Sequence, residues 1–264
     1  RGLGDVYKRQ ILTFALGIIA TTVSIAQDNK TQNIDATYVC EMKLDYDKTM
    51  AQVPQQYRSQ VGPMLKAEID AGVFMNYFLK SNSKQSTFVL EQKVGNAQSQ
   101  GGMIAQQMAS FDNKPTYKDF TVTPNLYYKE VDMGAKQYLI KDQIPDYKWK
   151  ISREKTDIAG YKATKAEGVM MDSIPVTAWF APEIPIKDGP TSLAGLPGLI
   201  VKAQFDYQGT TMIFTLKELK LSDKELKVSI PTKGETVTHN QFMKIVEDMQ
   251  KKMKEMMNSG VDTQ

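Results

Sequence analysis

The segment at residues 176–204 constrains the fold most, because it joins two predicted strands through a sharp bend. Its first part alternates in the period of two that is typical of a half-buried strand, with one face formed by Val176, Ala178 and Phe180. Pro197 fixes one backbone torsion, while Gly195 and Gly198 permit positive torsions or a close backbone approach. The run that begins at Leu199 is continuously apolar, so the bend leads into a buried strand.

The bend is a hexapeptide of Gly195, Leu196, Pro197, Gly198, Leu199 and Ile200, preceded by the Ala-Trp-Phe sequence at 178–180. This block resembles the signature of the GLPGLI family, a group of secreted proteins of Bacteroidota named after the hexapeptide. The sequences at 149–151, 158–161 and 165–166 resemble the middle block of the same family. The resemblance covers residue 34 to the C-terminus. It implies an exported protein and brings no established activity.

The N-terminal residues predict a targeting segment. Residues 1–10 do not start with Met and read as neither a strand nor a natural start, so we interpret them as an artefact of gene assembly. Lys8 and Arg9 precede an apolar run of about 15 residues, shorter than the roughly 20 needed to cross a bilayer. Ser24 and Ala26 suit cleavage before Gln27. We therefore expect a signal peptide at 11–26 and one domain at 27–264. The mature chain should be periplasmic or secreted, with no lipid anchor and no membrane span.

Charge and cysteine content exclude several classes of protein. The whole chain carries a formal net charge of +3, and the segment at 1–26 supplies part of that excess, so no nucleic-acid partner is indicated. Cys40 is the single cysteine, which excludes an internal disulfide. It lies on the apolar face of an alternating segment at 34–46, which predicts a buried and unreactive thiol.

The rest of the chain predicts a mainly β fold. About twelve short strands with turn signals between them, the last at 226–230, indicate an antiparallel, curved sheet or half-barrel. A helical insertion is expected near 50–71, and the polar stretch at 95–115 is expected to be a mobile excursion. The bowl shape is similar in outline to periplasmic lipoprotein carriers, which is an analogy of fold alone.

A C-terminal amphipathic helix is predicted at 239–257. Thr238 and Gln241 have the spacing of a capping box, and the apolar stripe includes Ile245, Met249, Met253 and Met256. We expect this helix to dock on the sheet of its own chain, with contact to a partner or a membrane surface as the alternatives. If it closes over the concave face, the residues that would face a ligand are Trp149, Trp179, Ile245, Met249, Met253 and Met256.

No catalytic, cofactor-binding or metal-binding residue is predicted. His239 is the single histidine, which excludes a multi-histidine metal site, and its place beside the predicted helix cap favours an exposed polar role. The glycines of the bend fit neither of the two common phosphate-binding motifs. Glu183 is interpreted as a structural anchor that pairs with Arg153 or a lysine.

Three functions remain open from the sequence. The first is a non-enzymatic carrier of an apolar or lipidated ligand, the second an envelope interaction or assembly module, and the third a hydrolase that uses carboxylates. A sizeable apolar cavity would favour the first, and a filled core with an exposed apolar patch would favour the second. Separately, Ser173 lies in a short sequence that resembles the O-glycosylation acceptor of exported Bacteroidota proteins.

Overall fold

The computed structural model describes residues 33–92, 102–134, 136–171, 173–207, 209–222 and 225–259. The expected artefact at 1–10, the signal peptide at 11–26 and the cleavage point before Gln27 lie outside these residues. The described chain contains twelve strands: β1 Asn33–Leu44, β2 Val73–Ser81, β3 Gln85–Leu90, β4 Thr116–Asp119, β5 Leu126–Asp132, β6 Gln137–Gln143, β7 Lys150–Ile158, β8 Tyr161–Met170, β9 Ile174–Ala181, β10 Leu199–Tyr207, β11 Thr210–Ser222 and β12 Glu235–Val237.

The twelve strands form one open, curved sheet in the order β12-β6-β5-β4-β3-β2-β1-β11-β10-β9-β8-β7. Each pair of neighbours is antiparallel except β12 and β6, which are parallel. Most neighbours are also consecutive in the chain, as is common in antiparallel sheets. The predicted mainly β fold, with one curved antiparallel sheet, is confirmed.

Four α-helices accompany the sheet in the described residues: α1 Tyr46–Gln52, α2 Arg58–Ala71, α3 Met103–Phe111 and α4 His239–Ser259. A 3-10 turn at Gln55–Tyr57 connects the first two, so the helical insertion near 50–71 is confirmed. The C-terminal helix is confirmed together with its capping box. Gln241 Oε1 accepts from the Thr238 backbone N–H at 2.8 Å, and Thr238 Oγ1 accepts from the Gln241 N–H at 3.3 Å.

The central strand β1 defines the two faces of the sheet. Its buried residues Ala36, Tyr38, Cys40 and Met42 alternate with more exposed ones, as the sequence pattern predicts. We call the buried side the core face and the other side the outer face. On the core face Tyr77 stacks on Phe88 with ring centroids 4.9 Å apart, and Phe214 contacts both rings edge-on. Leu65 of α2 and Ile104 of α3 belong to the same cluster, so both helices cover this face.

One local prediction was wrong. Residues 226–230 form no strand, although they alternate between exposed and half-buried positions. Such alternation shows which side faces the protein and does not show whether a neighbouring strand supplies hydrogen bonds. The last strand is instead β12, on the parallel edge beside β6. The described part of the polar stretch at 95–115 contains α3, whose first turn is held by the Glu68 carboxylate on the Ile104 N–H at 2.8 Å. The mobility expected of this stretch stays a prediction.

Candidate functional site

The loop between β9 and β10, residues 182–198, fills part of the core face. We call it the β9–β10 loop. Its apolar side chains have almost no exposed surface: Ile184, Ile186, Leu193 and Leu196. Asp188 and Ala194 form an isolated antiparallel bridge inside the loop, and the Gly195 N–H donates to the Lys187 carbonyl at 3.1 Å. The loop is therefore part of the core, and burial of each of these side chains stabilises the fold by about 1.5–3 kcal/mol.

The hexapeptide is mostly buried, with only Gly195 and Pro197 exposed. The chain enters β10 at Leu199, as predicted from the bend. Gly198 passes so close to β9 that a Cβ there would lie 2.3 Å from the Ala181 carbonyl oxygen. A side chain cannot fit in that space, so glycine is required by this contact between the two strands.

A buried hydrogen bond joins the end of the hexapeptide to the middle of the sheet. The Tyr38 hydroxyl donates to the Ile200 carbonyl at 2.7 Å, and the Ile200 N–H donates to the Asp188 carbonyl at 2.9 Å. Burial raises the pKa of Tyr38 well above its ordinary value, and the charge of Asp188 raises it further. The phenol is therefore a permanent hydrogen-bond donor to the loop.

A buried ion pair holds the loop from the other side. Lys118 of β4 contacts the Asp188 carboxylate, and both side chains are fully buried. The Ser81 hydroxyl donates to Asp188 Oδ2 at 2.5 Å, and the Gly189 N–H donates to Oδ1 at 2.7 Å. Lys118 Nζ also donates to the Gly189 carbonyl at 2.7 Å. Burial lowers the pKa of Lys118, against the opposing effect of the Asp188 charge.

This cluster was missed by reasoning from the sequence. Ser81, Ser86 and Lys118 stand directly opposite one another on β2, β3 and β4, which places all three on the core face. The Ser86 hydroxyl is buried without a hydrogen-bond partner. Lysine side chains are rarely buried unless they are paired, and the sequence around Lys118 does not indicate that this one is buried. No apolar period marks β4 in the sequence, because polar residues occupy its core positions.

The two predicted ligand-facing tryptophans lie on opposite faces of the sheet. Trp149 donates from Nε1 to the Ala194 carbonyl at 3.0 Å and packs over Gly168, which is on the core face. Trp179 is paired with Lys202 on the outer face, where the ammonium lies 5.0 Å from the centroid of the indole ring. The two rings therefore do not form one wall, and Trp149 serves to hold the β9–β10 loop.

The C-terminal helix docks on its own sheet through its first turns. Phe242 of α4 packs edge-on against Tyr138 of β6, and Ile245 is packed against the same small cluster. Further along the helix Met249 and Met253 are exposed. The side chain of Met256 lies outside the described residues. The Met243 sulfur of the same helix lies 4.0 Å from the Tyr207 hydroxyl, so α4 contacts β10 as well as β6. Closure of the helix over Trp149 stays a prediction.

The single cysteine and the single histidine have structural environments. Cys40 is buried, and burial raises the pKa of its thiol to about 12, so it is not a nucleophile at neutral pH. His239 is half-buried at the start of α4, where its backbone N–H donates to Asp142 Oδ2 at 2.9 Å. Its Nε2 is buried with no hydrogen-bond partner, and burial lowers its pKa. The exposed role expected for His239 was wrong because the residue lies against β6.

The remaining candidates are at the surface. Glu183 is an anchor: its Oε1 accepts from the Lys162 backbone N–H at 3.3 Å. It borders a shallow pocket of about 200 Å³ whose other lining residues are Lys155, Lys162, Thr164 and Pro182. Ser173 is exposed in the turn between β8 and β9, and its O-glycosylation stays a prediction. Among the described residues no cluster of three His, Cys, Asp or Glu side chains suits a metal ion, and no helix is long and apolar enough to cross a membrane.

Large apolar side chains are exposed on the outer face of β2. Phe74 is 55% exposed and Phe78 is 37% exposed, although this side of the strand is directed to solvent. Val39 lies on the adjacent strand β1, and Val89 of β3 stands directly opposite Phe78. We call these four residues the outer patch. An antiparallel sheet usually presents polar residues on its solvent face, so exposed phenylalanines there are unusual.

Comparisons with solved structures find only distant likeness. The structure of PNGF-II has a TM-score of 0.48 and 15% identity, and covers 81% of this chain, which spans about a third (32%) of PNGF-II. An uncharacterized conserved protein from Thermus thermophilus has a TM-score of 0.36 and 10% identity, with 80% of this chain and 93% of that one covered. A putative outer membrane lipoprotein-sorting protein domain from Vibrio parahaemolyticus has a TM-score of 0.34 and 8% identity, with 74% and 87% covered. At these scores the likeness assigns no function.

One sequence comparison matches the segment that carries the β9–β10 loop. No curated protein sequence matches the chain. The sequence model of one family, described as a protein of unknown function (Porph_ging), matches residues 166–202. The matched residues run from β8 through the hexapeptide into β10, and so include Asp188, Gly198 and Ile200. The chain is thus similar, over this short region, to a family of unknown function.

Proposed function

We propose that this chain is a non-enzymatic binding protein of the bacterial envelope that holds a partner protein on the outer patch. The observation that carries the proposal is the exposure of Phe74 and Phe78 on a sheet whose core face, in the described part of the chain, is covered by packed side chains. Aromatic side chains surrounded by polar ones are typical anchors of protein interfaces. Export through the segment at 11–26 is part of the proposal and follows from the sequence alone.

Packing of the core face gives less support to a carrier of an apolar ligand. In the described residues this face is occupied by the β9–β10 loop, by side chains of α2 and α3 and by the stacked rings of Tyr77 and Phe88. A guest would have to displace buried side chains such as Leu193 and Leu196. The loss of that burial, about 1.5–3 kcal/mol for each side chain, would oppose ligand entry.

A hydrolase with carboxylate chemistry is supported least. Asp188 is fully buried and paired, while Glu183 is engaged as a loop anchor. Asp112 accepts from Tyr77 at 3.0 Å and contacts Lys129, which ties the end of α3 to the sheet. Each of these carboxylates therefore has a structural partner that accounts for its position.

Site-specific photo-crosslinking in the native envelope tests the proposal. A photoreactive phenylalanine analogue replaces Phe78, and the matched control carries it at Leu221, which is 67% exposed on β11 and outside the outer patch. We expect a covalent protein adduct from position 78 and none from position 221. The substitution pair Phe74→Lys and Phe78→Lys should abolish capture of the same partner. Equal adducts from both positions, or capture that survives the double substitution, would contradict a partner on the outer patch.

A further inference from the structure

The pair formed by Lys118 and Asp188 differs from the other ion pairs of the described chain in its burial. Both side chains have no exposed surface, whereas Lys129 and Asp112, which also form an ion pair, are 23% and 25% exposed. Lys118 lies on β4 and Asp188 in the β9–β10 loop, so the pair joins two distant parts of the chain. Two buried charges are expensive to hold even when they are paired, and such a pair is weak evidence of stability by itself.

The groups around the pair are arranged for more than charge neutralisation. Ser81 donates to Asp188 Oδ2, and the Gly189 N–H donates to Oδ1, the oxygen that contacts Lys118 Nζ. Lys118 Nζ has a further acceptor in the Gly189 carbonyl at 2.7 Å. The amine is thus held against one carboxylate oxygen, while a hydroxyl donor stabilises the other oxygen. Burial also favours the neutral amine, which is the nucleophilic form, because it lowers the pKa of Lys118.

We propose that Lys118 and Asp188 condense to an intramolecular amide bond that covalently joins β4 to the β9–β10 loop. This cross-link would stabilise the fold covalently, in a chain whose single cysteine excludes an internal disulfide. The proposal does not depend on the binding function of the outer patch, since it concerns groups on the core face.

The step balances within the pair. The ammonium of Lys118 passes one proton to Asp188 Oδ1, which leaves a neutral amine beside a neutral carboxylic acid. The Nζ lone pair attacks Cγ to form the C–N bond, and negative charge collects on Oδ2, where the Ser81 hydroxyl donates. A second proton moves from Nζ to Oδ1, the C–Oδ1 bond breaks and water leaves. Oδ2 becomes the amide oxygen, and the remaining N–H keeps its acceptor on Gly189.

Two features of the site favour the amide over the ion pair. Condensation replaces two buried charges by a neutral group, which removes their desolvation cost. The surroundings are closed to solvent, because Leu193 and Leu196 of the loop and Tyr38 of β1 are all buried. Water, which would reverse the reaction, is therefore kept away from the bond once it has formed.

Peptide mass spectrometry of the purified full chain tests the cross-link. After denaturation and tryptic digestion, we expect a branched peptide that contains both Lys118 and Asp188 and is lighter than its two parts by one water. Fragmentation should place the branch at these two residues. Recovery of the two peptides only as separate, unmodified species would overturn the proposal and leave a non-covalent ion pair.

Matched variants make the result specific. Lys118→Met removes the amine and should abolish the branched peptide, whereas Lys129→Met, in the more exposed pair, should retain it. If Lys118→Met does not fold, the wild-type digest still decides, because it needs no variant. A branched peptide that persists in Lys118→Met, or one that joins Lys129 to Asp112 instead, would also overturn the assignment.

Discussion

The Tyr38 hydroxyl donates a hydrogen bond of 2.7 Å to the carbonyl of Ile200, and so ties the central strand β1 to the last residue of the hexapeptide. The two residues are far apart in the chain and both are buried. Together with the Lys118–Asp188 contact, this bond holds the β9–β10 loop on the core face. The hexapeptide is therefore an architectural element, although Gly195 and Pro197 also reach the surface.

Removal of the phenol should destabilise the fold. Tyr38→Phe leaves the Ile200 carbonyl buried without its partner, so we expect the free energy of unfolding to fall by about 1–3 kcal/mol. Urea denaturation measures the change. In the control Tyr207→Phe, the hydroxyl lost contacts only the Met243 sulfur at 4.0 Å, and the change should be much smaller. Equal losses of unfolding free energy in the two variants would show that the hydrogen bond to Ile200 stabilises the fold no more than the contact of Tyr207 does.

The close approach of β9 and β10 predicts a steric penalty at Gly198. In Gly198→Ala the new Cβ overlaps the Ala181 carbonyl oxygen, which should lower the free energy of unfolding by about 1–3 kcal/mol through strain. Gly134→Ala is the control, because its φ of +77° carries a torsional cost while nothing lies within 4 Å of the added Cβ. Thermal melts of both variants should show the larger loss at Gly198. A larger loss at Gly134 would contradict the close contact.

Acidification should loosen the start of α4 through His239. Burial lowers its pKa below the ordinary 6.5, while the charge of Asp142 on β6 opposes that shift. Below pH 6.5 the unfolded chain therefore takes up a proton that the folded chain does not, so stability is full above this pH and falls as pH decreases through it.

Comparison of urea midpoints at pH 7 and pH 5 for wild type and His239→Gln isolates this effect from the carboxylates, which both proteins share. The wild type should lose more stability on acidification than the variant. If the variant loses as much stability as the wild type or more, burial of His239 is not the cause of the loss on acidification.

Deletion of the C-terminal helix should expose the cluster beneath it. Without residues 240–264 the contacts of Phe242 and Ile245 are lost, and Tyr138, Ile140 and Val237 become accessible. We expect stronger fluorescence of a hydrophobic dye than with the full chain. The larger cluster, against which Trp149 packs, should keep its packing, so near-ultraviolet circular dichroism should remain largely native. A truncated chain that binds no dye would exclude docking of α4 on β6.

Much of the sheet could be predicted because its residues follow simple periods. The alternation of β1 sets the burial of Tyr38 and Cys40, and the capping box at Thr238 marks where α4 begins. These signals are local, and each depends on neighbours within a few residues. The hexapeptide could likewise be recognised as a bend, since Gly198 and Pro197 restrict the backbone in ways that the sequence alone displays.

The contacts that decide the candidate site could not be predicted, because they join residues distant in sequence. Lys118 resembles any exposed lysine until β4 places it on the core face opposite Ser86. Asp188 lies in a loop whose path over the sheet has no periodic signal. The strands that α4 contacts could not be predicted for the same reason, because an apolar stripe predicts that a face is covered and does not specify which strand covers it.

Native mass spectrometry of the protein, isolated gently from its own envelope, tests most directly the claim that the core face is filled and the outer patch does the binding. We expect a chain without a small apolar adduct, together with a protein complex that the Phe74→Lys and Phe78→Lys pair dissociates. A stoichiometric lipid-sized adduct that survives in this double variant would contradict it, and would place the ligand on the core face.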